Sequence, residues 1–375
     1  MILKTKQFKE ACSKILSAID RENNTLGLTE LVELNSLGDI LYMNVTNGEY
    51  YVSLKFKLDK EENFKATISA GIFLKLISQL TTEEIEIKSN THFISIKSNG
   101  NYKIPIIYDN DKMMELPKIS IDNPTVEMPI DSEILKSILY YNSKELLKGT
   151  MANPTIQKLH YIDDQGALTF TTGACVNSFV LPKPIKLLIG NKIVKLFKLF
   201  EEDSVNFTLG YDSISDSVIV TKIKLETDST VLTAILNCDN SLLKQVPVTK
   251  IRARAEKVYP YTVTIDKNHM VQALNRLLIF INNSKVKNLK SPSAGKFIFT
   301  KGEITISDLD EENVESIQSM NFNGEKYSCL LDLEDLKSTL DTCIDTYLNI
   351  SFGDREAIVI SRLNISNILS ECDIS

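Results

Sequence analysis

Nothing in this chain reads as a catalytic signature. It has no G-x-G-x-x-G, no P-loop, no G-x-S-x-G and no H-E-x-x-H, and the glycine step Thr172-Gly173-Ala174 reads as a plain turn. Metal ligands are as scarce. His92, His160 and His269 stand far apart, with no carboxylate or cysteine at ligand spacing, so no metal and no cofactor is expected. His92, at a predicted turn, reads as a surface histidine. The six cysteines (Cys12, Cys175, Cys238, Cys329, Cys343 and Cys372) are scattered without a C-x-x-C and read as reduced small hydrophobes. Long apolar runs are missing too. Stretches such as Leu277 to Ile281 cannot span a bilayer, and MILKTKQFKE is charged and amphipathic, so a soluble, cytoplasmic protein is expected. Net positive charge is also absent, at -7 with a pI near 5.3. That argues against a uniformly basic coat but says nothing of a single face.

What is present is repetition. At 375 residues with 43% hydrophobic content, the chain is too long for one core and comfortable for three. An alternating strand, a short apolar-faced helix and a strand pair recur in FKATISAGIFLKLISQLTTEEIEIKSNTHFISIK (from Phe64), PIKLLIGNKIVKLFKLFEEDSVNFTLGYDSISDSVIV (from Pro184) and KYSCLLDLEDLKSTLDTCIDTYLNISFGDREAIVIS (from Lys326). Each copy is preceded by a further helix. The first carries Phe8, Ala11, Cys12, Ile15, Leu16 and Ile19; the second Ile134, Leu135, Ile138 and Leu139; the third Met270, Val271, Leu274, Leu277, Leu278 and Ile281. Turn residues at Asn47-Gly48, Asp164-Gln165-Gly166 and Lys301-Gly302 punctuate the strands between. The expectation is an α+β chain of three tandem domains, 1–120, 126–248 and 258–375, each a β-sheet backed by two helices. Linkers are expected at Leu116 to Thr125 and Gln245 to Pro260, the latter with solvated cations Lys250, Arg252, Arg254 and Lys257.

The informative positions lie opposite the apolar stripes. With Ile72, Phe73, Leu76 and Ile77 against the sheet, helical geometry turns Lys75 and Gln79 away. The same rotation frees Lys136 and Tyr140, Lys195 and Lys198, Gln272 and Arg276, and Lys337. Lys6 and Lys14 edge the first helix, and Arg21 lies just beyond it. Lysine on a solvated helix face is ordinary, and Glu10, Glu133, Asp335 and Asp341 dilute the pattern. A second asymmetry sets the acidic run Asp308-Leu309-Asp310-Glu311-Glu312-Asn313-Val314-Glu315 near one end against Lys97 and Lys103 near the other. Copies with opposite charge at their ends can join head to tail, and such contacts close into rings when the rotation allows. A partnerless acidic loop reads equally well.

Three tandem α+β domains in this order, acidic overall and of this length, resemble the bacterial sliding clamp, the β subunit of DNA polymerase III. The resemblance runs from Leu3 to about Ile360. Phe64-x-x-x-Ile68-x-x-x-Ile72-Phe73 with Glu84-Ile85-Glu86-Ile87 is similar to the family's first-domain helix and next strand. Leu168-Thr169-Phe170-Thr171-Thr172-Gly173 is similar to its central-domain strand and turn. The resemblance implies a head-to-tail homodimeric ring, twelve helices lining a hole around duplex DNA, no chemistry, and tethering of the replicative polymerase and clamp loader through short peptide motifs. It implies DNA contacts of no sequence preference from Arg21, Lys75, Lys136, Lys195, Lys198, Arg276 and Lys337. It implies a dimer interface with Ile279, Phe280, Asp308, Asp310, Glu311 and Glu312 against Lys97 and Lys103, and association with the nucleoid during replication. The family's central turn T-D-G-H-R-L-A is replaced here by Thr172-Gly173-Ala174-Cys175-Val176-Asn177-Ser178, and its M-P-M-R-L-like tail by a chain closing on Ile368-Leu369-Ser370-Glu371-Cys372-Asp373-Ile374-Ser375. A peptide pocket bordered by Ile156, Thr172, Gly173, Val176, Val246, Pro247, Ile368 and Leu369 is expected with altered preference, as in a divergent or phage-encoded clamp. The alternative is a clamp-fold ring or scaffold that binds proteins but not DNA. An enzyme would need a cleft of clustered titratable groups, which no stretch suggests.

Overall fold

The computed structural model describes residues 1–20, 27–143, 159–170, 173–215, 218–236, 240–281 and 291–372. Their elements follow one order three times: strand, helix, four strands, helix, three strands. The first pass is β1 (Ile2–Lys4), α1 (Thr5–Leu16), β2 (Leu31–Leu37), β3 (Ile40–Thr46), β4 (Tyr50–Lys57), β5 (Phe64–Ser69), α2 (Ala70–Gln79), β6 (Glu84–Ser89), β7 (Phe93–Lys97) and β8 (Asn101–Pro105). A two-residue hairpin follows, β9 (Tyr108–Asp109) and β10 (Lys112–Met113). The second pass is β11 (Pro124–Asp131), α3 (Ser132–Ser137) running into a π turn at Ile138–Asn142, β12 (Leu159–Asp163), β13 (Gly166–Phe170), β14 (Ala174–Ser178), β15 (Lys186–Gly190), α4 (Asn191–Val194) running into a 3₁₀ turn at Lys195–Leu199, β16 (Ser204–Ser215), β17 (Val218–Glu226) and β18 (Thr230–Leu236). Helices α5 (Asn240–Gln245) and α6 (Val248–Glu256) lead to the third pass. It consists of β19 (Tyr261–Asp266), α7 (Lys267–Ile281), β20 (Ala294–Thr300), β21 (Glu303–Ser307), β22 (Val314–Met320), β23 (Lys326–Asp332), α8 (Leu333–Asp341), β24 (Tyr347–Phe352), β25 (Ala357–Arg362) and β26 (Ile365–Ser370).

Contacts group these elements into two compact units, Met1–Leu135 with Lys195–Asp239, and Lys136–Val194 with Asn240–Ser375. The first unit holds an eight-stranded sheet, β11-β16-β17-β18-β4-β3-β2-β5, and a four-stranded one, β1-β6-β7-β8. Helix α1 forms because Phe8, Cys12 and Ile15 recur on one buried face, and Phe8 meets Phe73 of α2 edge to face at 6.1 Å. The apolar stripe of α2 is Ala70, Phe73, Leu74 and Ile77. Ile72, expected in that stripe, is instead 57% exposed. The spacing of three to four residues that joins Ala70, Phe73 and Ile77 carries Ile72 off the buried side.

The second unit is built on a twelve-stranded sheet, β15-β12-β13-β14-β26-β25-β24-β19-β22-β21-β20-β23. Its largest core joins Met270, Leu274 and Leu277 of α7, Leu336 and Leu340 of α8, and Phe297, Phe299, Phe322 and Phe352. Asp332 caps α8, accepting from the Asp335 amide at 2.9 Å and from the Ser293 hydroxyl at 2.7 Å. Gly166 holds the β12–β13 turn at φ +148, where a Cβ would lie 2.3 Å from the Asn177 carbonyl oxygen, so this turn requires glycine.

The stretch from Gln245 to Pro260 is not an extended solvated linker. Its two prolines flank α6 rather than interrupt it, Pro247 standing at the N-cap where its missing N–H costs nothing. Three of the four cations in this stretch are paired: Arg252 donates to both Asp163 oxygens, at 2.6 and 2.9 Å, Arg254 pairs with Glu356, and Lys257 lies 2.8 Å from Asp354, while Lys250 is exposed as expected.

Candidate nucleic-acid interface and docking seams

The helices set out the cations in different states. In the second repeat α4 tightens into a 3₁₀ turn that buries Leu196, Phe197 and Leu199 and leaves Lys195 and Lys198 exposed. Residues three apart eclipse in a 3₁₀ helix, so the two stems rise from one edge about 6 Å apart along the axis. Lys75 is likewise exposed on α2. Among the described residues the ammonium groups of these three lysines have no hydrogen-bond or ion-pair partner. Lys136 is half-buried and already engaged. Arg276 lies in a two-pronged pair with Glu315 of β22, Nε to Oε1 and Nη2 to Oε2 both at 2.7 Å, which holds the Glu315 carboxyl below its usual range. Lys337 pairs with Asp341 one turn on, at 3.2 Å. Arg21 lies outside the described residues.

Of the residues expected at a self-association surface, Ile279 and Phe280 are 62% and 50% exposed near the end of α7. Val314, which sequence reasoning passed over inside its acidic run, is 54% exposed on β22; a valine flanked by polar residues at a strand start gave no signal of its own. Lys97 and Lys103 are exposed, Lys103 resting 4.6 Å from the Phe93 ring centroid. The acidic run divides. Asp308 is turned in and organises its own loop, accepting from the Glu312 amide at 2.9 Å and from Asn313 Nδ2 at 2.6 Å. Glu311 pairs with Lys296, whereas Asp310 and Glu312 are exposed.

The expected peptide pocket is mostly covered. Ala174 of β14 sits opposite Ile368 of β26, which brings Val176 and Ile368 to one ladder with Gly173 just before it, and α6 packs across both strands. Val176, Val246 and Ile368 are buried, as is Ile251 of α6, while Pro247 is exposed. Arg252 and Asp163 anchor this roof. Burial first, and then Asp163, push the Tyr161 hydroxyl up to about 12, so it stays protonated and donates to Asp163 at 3.2 Å. Leu369 points elsewhere: opposite Ile358, it belongs to the core under α7 and α8, since neighbours on a strand face opposite sides. Ile156 and Thr172 lie outside the described residues.

The strand pairings carry a rule. Strand β4 of the first repeat joins β18 of the second in the first unit, from Leu54 opposite Thr230 to Tyr50 opposite Ala234. Strand β14 of the second repeat joins β26 of the third in the second unit, from Ala174 opposite Ile368 to Asn177 opposite Ile365. Both seams pair the same position of one repeat with the last strand of the next. No protein-family model matches the sequence. A stretch of 163 residues, 44% of this chain and 39% of the relative's length, is 26% identical to the beta sliding clamp of Mycoplasmopsis pulmonis (strain UAB CTIP). The structure superposes on the Pseudomonas aeruginosa DnaN sliding clamp (DNA polymerase III subunit beta) bound to griselimycin with a TM-score of 0.79 at 14% identity, covering 100% of this chain and 99% of that one. For the Thermotoga maritima DNA polymerase III beta subunit the TM-score is 0.76 at 12% identity, with the same coverage. This is the sliding-clamp fold. It spans the whole chain, mixed helices and sheets together, so the resemblance seen in local sequence patterns extends to the three-dimensional architecture.

Proposed function

We propose that this chain is a divergent bacterial-type sliding clamp, a non-catalytic processivity factor of three clamp domains (1–120, 126–248 and 258–375). Two copies join head to tail into a ring that encircles duplex DNA and tethers the polymerase and its loader. Lys75, Lys195 and Lys198 supply sequence-independent phosphate contacts, and the β14–β26 seam under α6 receives partner peptides.

The seam rule carries this reading. Applied to the third repeat, it assigns β22 a partner equivalent to β18 and β26, which is β8 of the first repeat. Strand β8 pairs only with β7 among the described residues, and β22 meets β19 only through Ser319 and Met320, so both keep an open edge. Open edges invite strand addition. Joining β22 of one copy to β8 of a second, and the reverse, leaves neither edge open: one head-to-tail contact, made twice, closes the ring through a two-fold rotation.

The register follows from the first seam. Tyr51 and Val314 are each the first ladder residue after their hairpin turn, and Tyr51 faces Thr233, two residues past the first ladder residue of its strand. The same count places Val314 opposite Lys103 of the second copy, both outward-facing and exposed, with the acidic loop alongside. In the first seam α1 reaches just beyond the 3₁₀ turn, Lys14 to Glu201 at 2.6 Å. The corresponding contact sets the end of α7, with its exposed Ile279 and Phe280, against the C-terminal end of α2 in the second copy, giving two exposed apolar side chains a cover.

The test is a K103C/V314C variant under mild oxidation. It should give a covalent dimer on a denaturing gel, with neither single variant doing so. Absence of the cross-link, with both thiols reactive in a folded protein, would refute the head-to-tail register.

A further inference from the structure

The cations on the helix faces differ from repeat to repeat in a way that their number conceals. In the first two repeats the helices carry Lys6, Lys9, Lys75, Lys195 and Lys198 without a hydrogen-bond or ion-pair partner among the described residues. Their acids are only Glu10 on α1 and Glu133 on α3. In the third repeat every helix cation is engaged. Lys267 donates to the Cys343 carbonyl at 2.9 Å, Arg276 holds Glu315 through both nitrogens, and Lys337 holds Asp341. Helix α8 adds Glu334 and Asp335 in its first turn, so its nine residues carry three carboxylates to one ammonium. The groove between α7 and α8, lined by Asn275, Leu278, Glu334, Lys337, Ser338 and Asp341, is acidic to neutral in consequence.

We infer that the DNA backbone is held by the helix faces of the first two repeats, and that the helix faces of the third repeat contribute no phosphate contact. This rests on the clamp reading above and narrows its DNA-binding surface. An ammonium that already neutralises a carboxylate releases no net counterion when a phosphate approaches, because the carboxylate comes with it. A free lysine neutralises the phosphate outright and releases its condensed cation. The eclipsed pair Lys195 and Lys198 forms the strongest such site, two unpaired charges on one edge of one turn. A duplex in such a ring is attracted by the first two repeats of each copy and repelled at α8, where Glu334 and Asp341 lie. Weak attraction of this kind retains DNA without halting the ring.

Two variants that remove the same charge separate the possibilities. K195Q/K198Q and R276Q/K337Q each lower the net charge by two, so any difference between them reports position rather than total charge. Binding of the full-length protein to a short fluorescent duplex is followed by anisotropy over a salt series. The inference predicts that log K against log salt becomes shallower by about 1 for each lysine removed in K195Q/K198Q, and that R276Q/K337Q keeps the wild-type slope. Thermal melts verify that both variants are folded. An equal loss in the two variants, or a larger one in R276Q/K337Q, would overturn the inference and leave the clamp reading intact. Absence of salt-dependent binding by the wild type would remove the DNA-binding reading itself, and the inference with it.

Discussion

Two inner layers of the second unit are made from opposite chemistry. Under α7 and α8 the layer is aromatic: Phe299 and Phe352 have ring centroids 4.4 Å apart, Tyr327 and Phe352 5.1 Å, and Tyr261 and Tyr327 5.4 Å. Around the π turn at Ile138–Asn142 the layer is polar. Asn142, His160, Thr169 and Asn177 are fully buried there. Asn142 Nδ2 donates to Thr169 Oγ1 at 3.3 Å, and Asn177 Nδ2 donates to Ser137 Oγ at 2.9 Å and to Asn142 Oδ1 at 3.3 Å. His160 shares the cross-strand line of Thr169, Cys175 and Asn367. The aromatic layer draws stability from area and is indifferent to direction. The polar layer gains little net energy but penalises every misplacement, because a buried donor or acceptor that loses its partner bears the full desolvation cost. A π turn at that point suits the purpose, since its extra residue carries Asn142 into reach of β13 and β14.

The comparison breaks most readily at Phe352, a fully buried ring that touches Phe299, Phe322, Tyr261 and Tyr327. F352A should cost about 3–5 kcal/mol in denaturant unfolding through lost area and the cavity left behind. A loss below about 1 kcal/mol would mean that the stack collapses freely and is not the stabilising layer.

The polar layer should instead be sensitive to pH. Burial pulls His160 from 6.5 to about 4, against the opposing hydrogen bond to Asn191 at 3.1 Å. The folded state holds the neutral ring, while the unfolded chain takes up a proton near pH 6.5. Its stability contribution is therefore whole above 6.5 and is lost as pH falls toward 4, by about 3 kcal/mol. H160Q should flatten the pH profile in that window relative to the wild type, and parallel profiles would show that the ring does not govern acid sensitivity. The smallest effect is expected for N177A, about 1–3 kcal/mol for the buried Asn142 oxygen that loses its Asn177 donor. A neutral result would mean that the polar layer is dispensable.

Much of the fold was legible because it rests on local periodicity. The three singled-out stretches fold as strand, helix and strands, and the face of α7 runs through Met270, Leu274, Leu277 and Ile281 as spaced. What escaped was set by partners distant in sequence. Ile72 fits an apolar run as well as Phe73 does, and only the bearing of α2 on its sheet separates them. Leu369 and Ile368 differ by one residue, hence by one face. Helix α6 looked like a linker because its periodicity is weak and its cations find Asp163, Glu356 and Asp354 only in the folded chain. The polar layer was invisible because Asn and His on strands read as surface. At the candidate site, the exposure of Lys75, Lys195 and Lys198 followed from helical rotation, whereas the pairing of Arg276 with Glu315 of β22 could not.

The most direct test of the clamp reading is retention on nicked circular DNA during gel filtration, compared with the same complex after the circle is cut. A ring that encircles its duplex stays with the circle and slides off the linear form. Equal retention on both, with the ring intact and equally loaded, would contradict encirclement and leave a clamp-fold scaffold that binds proteins without enclosing DNA.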